Sequence, residues 1–326
     1  ETTSSWTRRR RSQTTGLGRG CGDCQDGLCF GTWNIQNLGI SKGRRSAVVE
    51  AIKSILHRYD LVAIQELSQK PRAPFPCGKN TASVICSVMP NKDTYTVTAS
   101  PRIGDEQYVV IARNAAARVL GSGTTYPDRA GVHSRPPHAF DVTLTTGAWS
   151  FWQTTWRLVV AMTHTRPQSA TAEIHNFPNV LSWMRKTFGG HRDTHYLIAG
   201  DFNADGSYFR DEAEWPHSSL GSGWSGYSLM THNGLDTTVA SNDNTYDRII
   251  ADTELVAKSR PPTVFKLEKV DMSAVRKQGC AKGYVPKSVC SRKYSTMPWA
   301  RVPGHIKTLL AKELSDHHPV EVCLRN

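Results

Sequence analysis

Short apolar runs punctuate this chain, and most of them stop at a polar residue. Cys29 to Ile35, Leu61 to Gln65, Tyr108 to Ala112, Leu158 to Met162, Tyr196 to Ala199, Tyr246 to Ala251 and Pro319 to Leu324 each read as a buried strand. Gly200 is expected to end the Tyr196–Ala199 run. Two stretches have helical spacing instead. Val48, Ala51, Ile52, Ile55 and Leu56 share one face of a helix over Ser46–Tyr59. Ala170–Phe188 reads as a helix broken or bent near Pro178. Strands and helices alternate, with adjacent strands and long loops between them. That pattern predicts a mixed α/β (α+β) layered sandwich in one domain, without internal repeats.

Composition refines the boundaries. Residues 1–26 carry few apolar side chains and much Ser, Thr, Gly and Arg, and read as a flexible Arg-rich arm. The domain is expected over 27–326, with a basic, Pro-containing insertion at about 266–305. Hydrophobic residues make up 38% of the 326, enough for a substantial core. No run approaches the roughly 18 apolar residues of a membrane helix. No secretory signal is visible at Glu1, and a mature form with its signal removed is the expectation. Eight cysteines, an even number, suggest disulfides and an oxidising compartment. Cys77–Cys86 and Cys280–Cys290 would each close a short loop, leaving Cys21, Cys24, Cys29 and Cys323 to pair among themselves in an order the sequence leaves open. A zinc site on Cys21-x-x-Cys24 is weaker, because no second CxxC or HxxxH follows.

The net charge of +12 is clustered. Residues 1–20 hold five Arg against Glu1, and residues 266–313 hold eleven Lys or Arg against Glu268, Asp271 and Glu313. Clustered basic charge favours a polyanionic partner, a nucleic acid or a membrane surface. Solvated surface plus a disordered arm is the plainer reading of the Arg run.

The polar residues at the strand tips carry the chemistry. Asn34, Glu66, His164, Asp201 with Asn203, Asp247, and Asp316 with His317 each follow or open an apolar run. Such groups are costly to bury without partners. In "GDFNAD" the alternation of a strand would aim Asp201 and Asn203 the same way, although Asp, Asn and Gly also suit a turn. If the sheets place these tips at one end, they converge on one cleft. That set suits metal-assisted phosphodiester hydrolysis. Glu66, with Asn34 and Asp316 nearby, offers hard oxygen ligands to a cation such as Mg²⁺. Asp201, His164 and His317 are candidates for proton transfer. Glu106 and Asp247 are candidate carboxylates to orient the two imidazoles.

"TWNIQNLG", "YDLVAIQEL", "AEIHN", "IAGDFNADGSY", "TYDRII" and "SDHHPVEV" together resemble, in order and spacing, the DNase I family of the endonuclease/exonuclease/phosphatase superfamily. The resemblance runs from about Cys29 to Leu324, interrupted mainly at 266–305. It implies a four-layer αββα sandwich. It also implies that Asn34 and Glu66 form a metal-binding pair, with Asp316 a metal or water ligand. Glu106 would partner His164, and Asp247 would partner His317. Asp201 and Asn203 would orient water and phosphate, and Arg135 and Tyr208 would contact phosphate. Asp236 and Thr238 resemble part of a structural calcium site.

Departures from the family pattern matter as much. Gln36, Ser68 and Gly104 stand where residues that read the DNA groove or grip phosphate are expected. Gly206 and Asn244 stand where a cysteine pair is expected. The hydrolytic centre thus looks intact and the DNA grip rebuilt, with the basic segments supplying phosphate contacts. The expectation is a secreted, monomeric endonuclease dependent on Mg²⁺ or Mn²⁺, with possible structural Ca²⁺. It would cut DNA, with RNA open, at little sequence specificity. A phosphoinositide or other phosphoester phosphatase, or a genotoxin subunit, shares the same centre. A basic nucleic-acid-binding protein on an inactive scaffold is the non-enzymatic alternative.

Overall fold

A computed structural model describes residues 19–22, 24, 27–68, 84–146, 154–189, 193–210, 224–240, 242–271, 273–283 and 301–326. The expected runs become strands, with others between them. In chain order these are β1 Leu28–Asn34, β2 Leu61–Leu67, β3 Tyr95–Ala99, β4 Gln107–Arg113, β5 Ala117–Thr125, β6 His138–Thr146, β7 Thr154–His164, β8 Thr194–Asp201, β9 Tyr227–Leu229, β10 Asp247–Asp252, β11 Thr263–Val264 and β12 Val320–Leu324. They form one sheet ordered β11-β12-β1-β2-β4-β3 and a second ordered β5-β6-β7-β8-β10-β9.

Alternation along each strand builds the layers. Leu28, Phe30, Leu61, Ala63, Tyr108 and Val110 of the first sheet meet Phe140, Leu158, Val160, Leu197 and Ile249 of the second in one central core. The intervening residues face outward. Trp33, Val62, Ile64 and Val109 pack under Val48, Ile52 and Ile55 of the helix Ser46–Leu56. Val159, Ala161 and Ile198 pack under Ile174, Val180, Leu181 and Met184 of the helices Ala170–His175 and Phe177–Phe188. The result is the four-layer αββα sandwich. The expected break near Pro178 falls at Asn176, and the proline itself sits in the first turn of the second helix, where its missing N–H costs nothing.

Strand direction places the polar tips. β1 and β2 are parallel, and Asn34 at the end of β1 lies opposite Gln65, the residue before Glu66. β7 and β8 are parallel and end together with His164 opposite Asp201. β4, β10 and β12 run against these neighbours, so they begin at that same end. Glu106, Asp247 and His317 stand at or just before those beginnings. Gly200 does not end β8. The strand runs on to Asp201, and Gly200 adopts φ +146°, where an added Cβ would lie 1.9 Å from the Thr163 carbonyl.

The start of the described chain is fastened. Disulfides join Cys21 to Cys29 and Cys24 to Cys323, which excludes zinc on the CxxC. Arg19 Nη2 donates to both Asp60 oxygens at 2.6 Å. Residues 19–22 and 24, expected in the flexible arm, therefore belong to an anchored part of the chain, while residues 1–18, 23, 25 and 26 lie outside the described residues. Cys86 and Cys280 are also disulfide-bonded; their expected partners Cys77 and Cys290 lie outside the described residues. The described parts of 266–305 join the outer core of the first sheet through Leu267, Val270, Val275 and Val302. Among the described residues no helix is long and apolar enough to cross a membrane.

Candidate active site

Two imidazole–carboxylate pairs face each other across one buried carboxylate. His164 Nδ1 lies 3.1 Å from both oxygens of Glu106. His317 Nδ1 lies 2.7 Å from Asp247 Oδ2. Each ring therefore turns its Nε2 into the cleft, 3.6 Å and 3.4 Å respectively from the same atom, Asp201 Oδ2. All five side chains are buried. Asn34 completes the arrangement, donating its amide to Glu66 Oε1 at 2.9 Å and to Asp201 Oδ2 at 3.0 Å.

Burial and charge pull against each other here. Burial disfavours the His164 and His317 imidazolium forms. The neighbouring carboxylates outweigh it, raising His164 above the ordinary imidazole range through Glu106 and Asp201, and His317 well above it through Asp247 and Asp201. Burial alone would push the Asp201 carboxyl up, but the two imidazoles, the Asn203 N–H and the Asn34 amide hold it below the usual carboxylate range.

Glu66 holds a left-handed backbone, φ +63°, at a bulge in the β2–β4 ladder. For a residue with a long side chain that conformation is strained. It turns the carboxylate out of the sheet, where Oε2 accepts from Asn37 N at 2.8 Å and Oε1 lies 4.0 Å from His164 Nε2. The Glu66 side chain keeps 17% of its surface open, and Asp316 keeps 47%, with its Oδ1 3.9 Å from His317 Nε2. Among the described residues no group of three or more His, Cys, Asp or Glu is set to enclose a metal. The partly open Glu66 carboxylate beside polar neighbours instead fits a cation that keeps most of its waters, as Mg²⁺ does. Asn34, as it lies, orients the Glu66 carboxylate, while its Oδ1 accepts from Gln36 N at 2.9 Å.

Strand alternation does not align Asn203 with Asp201. Asn203 lies past the strand at φ +47°, donates its N–H to Asp201 Oδ1 at 2.9 Å and its amide to the Thr165 carbonyl at 2.9 Å. Arg135 reaches the rim, with Nη1 donating to the His164 carbonyl at 2.9 Å and Nε 3.6 Å from Glu106. Tyr208 is 40% exposed and tilts 5.8 Å from Tyr246, whose ring lies 6.2 Å from that of His317.

The calcium reading of Asp236 and Thr238 does not fit. Lys266 Nζ donates to Asp236 Oδ2 at 2.5 Å and to the Asp236 carbonyl at 2.7 Å, which puts an ammonium where a metal ion would sit. The missing cysteine pair has a substitute as well. Asp205 accepts from Gly206 N at 2.5 Å and from Thr245 N at 2.6 Å, and so joins the segments that carry Gly206 and Asn244. Gly104 sits at φ +62°, a backbone that favours glycine, beside the Arg135 stem.

Some supporting residues escape the pattern of strand tips. The Lys42 ammonium is buried and donates to the carbonyls of Ile35, Gln36 and Leu314, tying the exit of β1 to the segment before Asp316. Burial and the nearby Arg45 push it down to about 8. Glu173 is fully buried and accepts from Ser134 N, Arg166 N and the Ser169 hydroxyl, bracing the loop that carries Arg135. Glu173 lies within "AEIHN", the one sequence signal that could point to it; nothing in the pattern points to Lys42.

The family model described as the Endonuclease/Exonuclease/phosphatase family matches residues 31–317. Deoxyribonuclease-1 of Gallus gallus is 30% identical over 233 residues, covering 69% of this chain and 77% of that one. Deoxyribonuclease-1 of Oryctolagus cuniculus is 26% identical across 91% of this chain and 92% of its own length. Among solved structures, D. rerio TDP2 complexed with a single-strand DNA product shares the fold at a TM-score of 0.53 and 14% identity, covering 92% of this chain and 99% of that one. The mannosyl-6-phosphatase Bt3783 of Bacteroides thetaiotaomicron does so at 0.51 and 11%, covering 92% and 100%. At these identities both show the fold alone. The chain belongs to the endonuclease/exonuclease/phosphatase family, in its deoxyribonuclease I branch, and is a hydrolase of phosphoester bonds.

Proposed function

We propose that this protein is a secreted, monomeric, divalent-metal-dependent endonuclease that cuts DNA with little sequence specificity, RNA being a further possible substrate. One observation carries the reading: Asp201 Oδ2 lies within 3.6 Å of the Nε2 atoms of both His164 and His317. A water or phosphate oxygen entering there meets a carboxylate and two imidazoles at once. Glu66, with Asn34 and Asp316 beside it, would hold Mg²⁺ or Mn²⁺. Such a cation neutralises phosphate charge and steers the attacking oxygen. Asp201 and Asn203 orient the water and the scissile phosphate. One imidazole accepts the water proton and the other supplies a proton to the leaving oxygen. Glu106 and Asp247 fix the ring tautomers by holding each Nδ1. Arg135 and Tyr208 grip the phosphate from the rim. Deoxyribonuclease relatives support DNA as the substrate, and the disulfides support an oxidising, extracellular setting.

Supercoiled plasmid with Mg²⁺ tests this directly. The wild type is expected to nick and then linearise it, EDTA to stop the cutting, and His164→Ala to lose it while staying folded. An intact plasmid beside folded protein would overturn the endonuclease reading and move the search to smaller phosphoesters.

A further inference from the structure

Lys266 opens the basic segment that charge alone assigns to substrate binding, yet its ammonium points inward. Lys266 and Asp236 side chains are only 18% and 14% exposed. One cation meets two oxygens of one residue, the carboxylate Oδ2 and the main-chain carbonyl, as a metal ion does when it organises a loop. The other oxygens nearby are engaged too. Asp236 Oδ1 accepts from Thr238 N at 3.1 Å, and the Thr238 hydroxyl lies 3.2 Å from it and 2.7 Å from the Asn242 carbonyl.

The loop so closed supports one of the two imidazole pairs. Thr237 Oγ1 accepts from Tyr246 N and Asp247 N at 3.0 and 3.2 Å. His318 N donates to the Thr237 carbonyl at 2.7 Å, and Val239 N donates to the Asp316 carbonyl at 2.8 Å. The residues flanking Lys266 grip the other side. Leu267 N donates to His318 Nδ1 at 3.1 Å, and Phe265 N donates to the Pro319 carbonyl at 2.9 Å. An exposed ion pair contributes little. This one is largely shielded, and removing its cation leaves the Asp236 carboxylate without that countercharge, held by Thr238, in a loop that supports Asp247 and His317.

We propose that the Lys266 ammonium is a built-in cation that replaces a structural calcium ion at the Asp236 loop and acts as a positioning residue for the Asp247–His317 pair. The positioning half rests on the endonuclease reading; the cation half does not.

The full chain is tested by thermal unfolding in EGTA and in millimolar CaCl₂, wild type beside Lys266→Ala. A resident calcium site held far above its Kd would raise Tm by several degrees. The wild type is expected to show no shift, and Lys266→Ala to unfold earlier in EGTA and regain Tm with Ca²⁺. Lys266→Met then removes the charge and keeps the stem. Its kcat on plasmid is expected to fall about tenfold with KM within about twofold. Amide exchange is expected to quicken over 236–247 and 315–318 and nowhere else. Calcium stabilisation of the wild type would overturn the cation. A loss confined to KM would place Lys266 on the substrate instead. Unchanged exchange in those two segments would overturn the positioning role, and that readout stands even for a chain that cuts no plasmid.

Discussion

At the scale of single residues, the centre is built by opposing two orienting carboxylates around a third that is not paired off. Glu106 and Asp247 each occupy an Nδ1, so only the Nε2 atoms are left to face Asp201. Glu106→Gln isolates the charge in this arrangement, because the amide still offers an oxygen to Nδ1. An opposite charge within hydrogen-bond reach favours the imidazolium form, and Glu106, together with Asp201, lifts His164 against its burial. Removing that charge lowers the His164 pKa. If His164 acts as the base, the acid limb of the kcat profile moves to lower pH; if it acts as the acid, the alkaline limb does. The rate at the optimum is expected to fall about tenfold, less than the roughly 10²–10⁴-fold typical of losing an acid or base outright. A pH–rate profile that does not move would separate Glu106 from proton transfer. The residues that interrupt apolar runs were legible from sequence for a physical reason: a carboxylate or imidazole at the end of a buried strand needs partners. Lys42 was not legible, because its partners are backbone carbonyls brought together only by the fold.

At the scale of elements, the parallel pairing of β7 with β8 brings His164 beside Asp201, and Gly200 permits it. Its φ of +146° and the 1.9 Å between an added Cβ and the Thr163 carbonyl leave no room for a side chain between the two strands. Gly200→Ala is expected to cost about 3 kcal/mol or more, a Tm loss on the order of 10 °C. Gly206→Ala is the useful contrast. Its φ is +61°, but the nearest atom to a new Cβ is an Asn244 side-chain oxygen at 3.6 Å, so only the backbone penalty of about 1 kcal/mol applies. Equal Tm losses in the two variants would show that the close approach at Thr163 is not what matters. The sequence reading ended the strand at Gly200 because glycine usually punctuates a strand. Here it serves close packing of neighbouring backbones, which only the pairing reveals. β5 and β6 escaped for a related reason. β5 is half-exposed and carries Gly, Ser and Thr, so no apolar run announces it; in the mostly buried β6, Phe140, Val142 and Leu144 alternate with Asp141, Thr143 and Thr145 and form no continuous run either. The runs that did announce themselves are the ones covered on both faces.

At the scale of the whole molecule, charge and fold are partly uncoupled, and the substrate grip follows from that. Sequence alone located the basic segments, because net charge needs no structure to count. It did not show that the segment beginning at Lys266 packs Leu267, Val270 and Val275 into the outer core of the first sheet. Exposed Lys269, Lys277, Lys282 and Arg301 are thereby carried on a fastened part of the domain that leads into Asp316 and His317. If the protein cuts DNA as proposed, the short or uncharged side chains of Gln36, Ser68 and Gly104 leave phosphate neutralisation as the main expected source of affinity. Each neutralised phosphate steepens the fall of log K with log salt by about 0.9 on duplex DNA. With four or more such contacts, affinity between about 50 and 200 mM salt is expected to drop by two orders of magnitude or more. The loss should appear in KM, with kcat nearly constant, since the buried centre is shielded from added ions. Charge reversal of Lys269 and Lys277 should flatten the slope without moving kcat at saturating DNA. A wild-type KM indifferent to salt would mean that the grip comes from uncharged contacts, and that the positive charge of this chain serves something other than its substrate.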